Sequence, residues 1–260
     1  RGAVSTASEE LEKLADKHPI AKEVLKYREL QKLYTTYIKP LPKLADEKGR
    51  LHTHFDQLGA ATGRLSSSNP NLQNIPVQGE WGKRIREGVV PEKGNVFFGF
   101  DYSQMELRVA AHISKDITLK TFFEQGADIH RMTAATVFGV SPDKVGDEMR
   151  FRAKALNFGV LYGMGAQGFG KSAGMSVDEA RDFIEQYFIQ FPGVRDYMEA
   201  AKEAVREKGY AETLMGRRRY LPEINSSTPQ LRAAAERMAI NHPIQGTLAD
   251  ITKEAMVEIP

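Results

Sequence analysis

The sequence holds 260 residues, 41% hydrophobic and 27% charged, with 36 Lys and Arg against 34 Asp and Glu for a formal net charge of +2. These proportions are ordinary for a soluble globular protein of one large or two smaller domains, and they neither demand nor forbid a polyanionic partner. The absence of cysteine excludes disulfides, zinc–thiolate sites and cysteine nucleophiles, no apolar run approaches a membrane span, and the polar N-terminus does not resemble a signal peptide.

Ser8 is placed to cap a short helix carrying Leu11 and Leu14, which His18-Pro19 should end. Pro19 suits the first turn of a second helix, in which Ile20, Val24, Tyr27, Leu30, Tyr34 and Tyr37 form a narrow apolar stripe that needs a partner. Pro40 and Pro42 should stop it, leaving a small helical subdomain that the chain enters midway. From Gly49 to Pro76 the sequence turns polar. His52 and His54 fall on one face of a possible strand, but no third metal ligand stands at suitable spacing. Thr62, Arg64, Ser66, Ser67, Ser68, Asn69, Asn71, Gln73 and Asn74 gather hydroxyls and amides around one Arg without an acid. Such a loop suits hydrogen bonds to phosphate, sugar and groove edges, or is merely solvated. The same two readings apply to the clusters Lys83, Arg84, Arg86 and Arg217, Arg218, Arg219.

The stretch NVFFGFDYSQMELR, Asn95 to Arg108, organises the middle of the chain. Val96 to Phe100 is apolar at almost every position, as in a strand covered on both faces, and it stops on Asp101. Met105, Leu107, Val109, Ala110 and Ile113 then have helical spacing. An acid between a buried strand and a helix lies at a sheet rim within reach of a metal or substrate; the simpler alternative is a helix N-cap.

Residues 116 to 140 read as helical with a break at Gly126, and carry His130, a lone histidine of the kind more often structural than catalytic. In MRFRAKALNFGVLY, Arg150, Lys154, Phe158 and Tyr162 recur every four residues, so one helical face shows two cations and then two aromatics. That order fits neither a core nor a solvated face; it fits a ligand with a polyphosphate at one end and a planar ring at the other. Just beyond, GAQGFGKS at 165 to 172 satisfies the pattern of a phosphate-binding loop, but the helical spacing before it is not the strand that such a loop requires. Ser176 and Glu179 make a capping box, Phe191-Pro192-Gly193 breaks that helix, and Gly209 stops the next. Tyr210 to Ile224 reads as a hairpin around Gly216. A last helix from about Gln230 spaces Arg237, Asn241 and Gln245 four apart, with Pro243 placed to displace the last.

From about Ser5 to the C-terminus the chain resembles the polymerase region of family A DNA polymerases, the bacterial DNA polymerase I type. DYSQMELR at 101 to 108, the R-x-x-x-K-x-x-x-F-G-x-x-Y-G pattern at 150 to 163 and TGRLSSSNPNLQNIP at 62 to 76 carry the likeness, with support from ETLMGRRRY and HPIQGTLAD. The resemblance implies an α+β right-hand fold: part of a helical thumb over 1–45, an antiparallel palm over 46–114, helical fingers over 115–208, and palm again over 209–260. It implies template-directed DNA synthesis from dNTP on primer–template DNA, with roles in replication and repair and a cytoplasmic setting, in a bacterial nucleoid or a phage-infected cell.

By the same resemblance Asp101 would bind two magnesium ions and the Tyr102 carbonyl one of them. Arg150, Lys154 and His130 would hold the triphosphate, with Lys154 a candidate proton donor to pyrophosphate. Phe158 would pack on the incoming sugar and base, and Tyr162 would occupy or vacate the template base position as the fingers close. Gln104 and Glu106 would face the nucleotide, Glu106 against the sugar 2′ position, where it excludes ribonucleotides sterically. Arg64, Asn71, Asn74, Arg237, Asn241 and Gln245 would contact primer and template near the minor groove.

The sequence departs from the family at Gln78, where Arg is frequent, and at Phe151, usually basic; both should remove phosphate or backbone contacts. No His-Asp-Glu triplet, the family's source of a second catalytic Asp, occurs in the chain. The expectation is therefore a fragment, or one piece of an assembly completed by a second chain or a further C-terminal segment, weak or inactive alone. The rival functions are a noncatalytic DNA-binding module and an ATPase that uses Lys171 and Ser172.

Overall fold

The computed structural model describes residues 5–77 and 79–259; Gln78 lies outside them. Among the described residues the chain is mostly helical with two small antiparallel sheets of two strands each, and it divides into two compact units, residues 1–59 with 65–100 and residues 60–64 with 101–260.

In the first unit, α1 (Ser8–Leu14) begins one residue earlier than expected. The Ala7 carbonyl already accepts from the Glu10 and Leu11 N–H groups, so Ala7 is the cap and Ser8 lies inside the first turn. His18 caps α2 (Pro19–Leu33), its Nδ1 accepting from the Ile20 N–H at 3.2 Å. Ahead of a separate short helix, α3 (Leu41–Leu44), this helix passes into a π turn over Tyr34–Ile38 and ends before Pro40, as expected. Only the lower end of its apolar side finds a core, where Leu33 and Tyr37 pack with Ile75, and the Tyr37 hydroxyl donates to the Asn74 carbonyl. Ile20, Tyr27 and Tyr34 are exposed. The short strands β1 (His54–Asp56) and β2 (Ser66–Ser68) pair Phe55 with Ser67, and α4 (Glu80–Glu87) completes the unit. His52 Nε2 lies 2.9 Å from Asp46 Oδ2. The basic cluster on α4 is engaged locally, Arg84 with Glu80 and Arg86 with the Ile75 and Pro76 carbonyls.

The expected buried strand at 96–100 is not formed. Val96, Phe97, Phe98 and Phe100 are 78, 67, 78 and 83% exposed. An extended run is stabilised by the ladder bonds of a neighbour, and no described strand pairs with this one. Apolar composition showed that the segment could be buried, not that a partner stood beside it.

The second unit contains α5 (Met105–Ser114), α6 (Ile117–Glu124), α7 (Ile129–Phe138), α8 (Asp147–Leu161), α9 (Ala166–Ala173), α10 (Val177–Gln190), α11 (Pro192–Lys208), the hairpin β3 (Tyr210–Glu212) and β4 (Arg218–Tyr220), and α12 (Pro229–Glu258). Its core draws Leu107 from α5, Leu156 from α8, Phe169 from α9, Tyr187 from α10 and Ile244 from α12, all within 2% of complete burial. Burying side chains of this size stabilises by about 1.5–3 kcal/mol each. The capping box at Ser176 and Glu179 is present, and Gly209 ends α11 in the left-handed conformation at φ 78°. Pro243 displaces nothing: α12 runs through it, held by the buried Ile240 and Ile244 on either side. Tertiary burial outweighs the lost backbone bond.

One carboxylate staples two helix starts. Asp116 is 2% exposed; its Oδ1 accepts from the Leu119 N–H at 3.0 Å as the cap of α6, and its Oδ2 accepts from the Gly193 N–H at 3.0 Å in the first turn of α11. Removing both acceptors strands buried donors. Asp116→Ala should lower unfolding stability by about 2 kcal/mol or more in urea titration, with Asp116→Asn losing less; equal losses in the two variants would contradict a role as double acceptor.

Candidate functional site

The outer face of α8 is built by spacing and by a neighbour. Arg150, Lys154 and Phe158 stand one above the other on the helix, with Tyr162 at its C-cap. α7 supplies what holds the charged end. Asp128 caps α7, its Oδ1 accepting from the His130 and Arg131 N–H groups, and its Oδ2 lies 2.8 Å from Arg150 Nε. Burial pushes the Asp128 carboxyl up, but the Arg150 hydrogen bond, the two N–H donors and the Arg150 charge together leave it below its ordinary value. The ion pair is partly solvated and adds at most about 1 kcal/mol, so it positions Arg150 more than it stabilises the fold.

His130 is 4% exposed, and its Nδ1 stands 3.1 Å from Asn157 Nδ2. Burial, opposed by Asp128 and reinforced by Arg150 and Lys154, lowers its pKa from 6.5 to about 4. The imidazole is therefore neutral at pH 7, so His130 can offer phosphate a hydrogen bond but no charge. Its ring lies 5.8 Å from that of Phe158, which joins it to the α8 row.

The far end of the row is a second polar cluster. The Tyr162 hydroxyl donates to the Glu106 carboxylate, 3.1 Å from each oxygen, and accepts from Gln245 Nε2 at 3.5 Å. Arg64 completes it, its guanidinium 2.6 Å from Glu106 Oε1. Burial, followed by the Glu106 charge, raises the Tyr162 pKa and keeps the phenol protonated. Two glycines permit these approaches. A Cβ on Gly163 would sit 2.8 Å from Arg237 Cγ, and one on Gly246 would sit 2.5 Å from Thr213 Cγ2 and 3.5 Å from the Thr62 carbonyl. Arg237, Asn241 and Gln245 share one face of α12, as their spacing requires.

Asp101 is exposed, and it is not a helix cap. The N-cap of α5 is Gln104, held left-handed at φ 53° with no side-chain capping bond. A left-handed non-glycine residue costs about 1–2 kcal/mol, and here it makes the sharp turn between Asp101 and the helix. The expected rim of a sheet is absent, because residues 95–100 are not a strand. Among the described residues no three His, Cys, Asp or Glu converge as a metal cage. The oxygen donors of Asp101 and the Tyr102 backbone do fit magnesium in kind, since that ion is commonly held by one or two carboxylates and completed by substrate phosphates.

Asn71 and Asn74 belong to the first unit. The Asn71 Oδ1 accepts from Ser67 Oγ and the Gln73 N–H, and Asn74 uses its carbonyl to hold Tyr37, leaving its exposed side chain outward. The segment that matched a phosphate-binding loop is helix α9, opened at Gly165 with no strand before it. The basic hairpin is also used internally: Arg217 reaches Asp250 at 2.7 Å, and Arg219 reaches Met238 Sδ at 3.0 Å. Sequence patterns missed Asn157 and Thr133, both 0% exposed, which link α7 to α8 beneath His130. An Asn within an otherwise apolar inner face was the available signal.

The model of DNA polymerase family A matches residues 1–260. The chain belongs to this family. It is 53% identical over 259 residues to thermostable DNA polymerase I of Thermus filiformis, covering 99% of this chain and 31% of that protein. It is 49% identical over 257 residues to DNA polymerase I of Bacillus subtilis, covering 98% of this chain and 29% of that one. The chain thus spans about a third of the curated relatives that it matches. Among solved structures, the POL domain of Pol1 from M. smegmatis in complex with DNA primer-template and dNTP has a TM-score of 0.90 at 44% identity, over 98% of this chain and 45% of that one. No described helix is long and apolar enough to cross a membrane.

The buried histidine gives this family A chain a pH signature. His130 takes its proton with a pKa of about 4 when folded and near 6.5 when unfolded, so the unfolded chain binds more protons between those values. Stability should be undiminished above pH 6.5 and should fall as pH drops toward 4, by on the order of 3 kcal/mol from this group. The His242 pKa is lowered too, by burial first, and acts in the same direction. In denaturant titrations across pH, His130→Gln should flatten the curve in that window; an unchanged slope would contradict the assignment.

Proposed function

We propose that the chain carries the polymerase chemistry of a DNA-directed DNA polymerase, transferring a nucleotide from dNTP to a primer 3′-hydroxyl along a DNA template. The observation that carries this is the α8 row, two cations followed by two rings, in a chain of family A. Similarity to a POL domain whose complex includes primer-template and dNTP supports the choice of ligands. Arg150 and Lys154 meet the triphosphate with charge, and His130 adds a neutral hydrogen bond. Phe158 packs on the sugar and base, and Lys154 is positioned by the same row to protonate departing pyrophosphate.

Tyr162 and Glu106 form a floor for the nucleotide sugar and its template partner. Their mutual hydrogen bond fixes the Glu106 carboxylate, which would exclude a 2′-hydroxyl, and Gln104 shapes the turn beside it. Arg64, Asn71, Asn74, Arg237, Asn241 and Gln245 bind primer and template at minor-groove acceptors common to all base pairs. We assign residues 1–45 to a thumb, 46–114 and 209–260 to the palm, and 115–208 to the fingers.

Asp101 and the Tyr102 carbonyl would hold magnesium, whose charge stabilises the attacking and leaving oxygens when it is bound. The sequence has no His-Asp-Glu triplet, and we assign the second carboxylate of this centre to a segment outside these 260 residues. The test is primer extension by the purified chain, alone and with that segment supplied in cis. Extension should be weak alone, rise at least about a hundredfold with the segment and vanish in Asp101→Ala, since a lost carboxylate ligand removes several kcal/mol of charge stabilisation. Tight DNA binding without such rescue would instead indicate a noncatalytic DNA-binding module.

A further inference from the structure

Asn157 is a poor helix former in the middle of α8, with no exposed surface. A buried amide is costly unless its polar atoms are satisfied. Its partners all lie on α7. Its Oδ1 is 3.3 Å from Thr133 Oγ1, and its Nδ2 is 3.1 Å from both Thr133 Oγ1 and His130 Nδ1. With the amide nitrogen facing the ring, the amide donates, the imidazole Nδ1 is the acceptor, and the ring proton sits on Nε2. Burial, opposed by the charge of Asp128 on α7 and reinforced by those of Arg150 and Lys154 on α8, leaves the ring neutral at pH 7, so one tautomer is to be chosen.

We infer that Asn157 is a positioning residue that locks His130 in the Nε2–H tautomer, so that His130 presents its proton to a phosphate oxygen of the bound triphosphate. This rests on the proposal that the α8 row binds dNTP. Thr133 orients the amide, and Asn157 orients the proton; neither touches the nucleotide. The opposite tautomer would turn a lone pair toward phosphate, and repulsion would replace a hydrogen bond. A plain staple between α7 and α8 would need no particular tautomer.

Ring ¹⁵N spectra of the histidine-labelled chain at pH 7 test the lock without nucleotide or activity. Nε2 should carry the proton, and Asn157→Asp, whose carboxylate can only accept, should move it to Nδ1 or protonate both nitrogens. A wild-type Nδ1–H ring, or an unchanged ring in Asn157→Asp, overturns the lock; should that variant not fold, the wild-type spectrum alone still decides the tautomer. Titration with dNTP is the functional arm. Asn157→Asp should weaken binding about tenfold in the wild-type background, but only about twofold or less when His130 is already Gln, whose amide is a fixed neutral donor. Equal losses in both backgrounds would overturn the positioning role. A ring that switches as expected in a chain that binds no dNTP would leave the lock standing and refute the triphosphate proposal instead.

Discussion

The arrangement on α8 depends on one constraint: the helix must bury one side and still keep a row of cations and rings outward. Leu156, Val160 and Leu161 satisfy the first requirement in the core of the second unit. α7 meets the second with polar groups instead of apolar ones. Asp128 turns from its own helix N-terminus to hold Arg150, and His130 is backed by a buried amide in place of a hydrocarbon. A wholly apolar contact would leave Arg150 without the partner that fixes its direction.

The two ends of the row are held by different physics. At the cationic end the ion pair is open to solvent and weak, so Arg150 and Lys154 remain available to a stronger anion. At the aromatic end Glu106 is largely shielded, its side chain 16% exposed, and it accepts from both Tyr162 and Arg64. Loss of either donor would leave a partly buried carboxylate poorly compensated, which costs more than a surface pair can return. The row is thus loosely held at its cationic end and tightly held at its aromatic end.

Much of this was legible in the sequence because it is local. The four-residue spacing from Arg150 to Tyr162, the capping box at Ser176 and the stop at Gly209 each follow from chemistry within a turn or two of chain. The strand expected at 96–100 failed for the opposite reason: its apolar run predicts burial only if a neighbour supplies a ladder, and a neighbour is a nonlocal fact. The left-handed Gln104 was also hidden, since Gln carries none of the glycine or asparagine signals of that conformation. His130 lay between these cases. Its burial, which keeps the ring neutral, and its buried amide partner Asn157, 27 residues on, arise only when α7 packs on α8.

The central claim, that the α8 row and not the glycine-rich segment at α9 binds a nucleoside triphosphate, is tested most directly by equilibrium binding of dNTP and ATP to the chain with each lysine replaced in turn. Lys154→Ala should weaken dNTP binding by about tenfold or more, the worth of a charge-assisted phosphate contact, and Lys171→Ala should leave it unchanged. The reverse pattern, ATP binding and hydrolysis lost with Lys171 and indifferent to Lys154, would contradict the account.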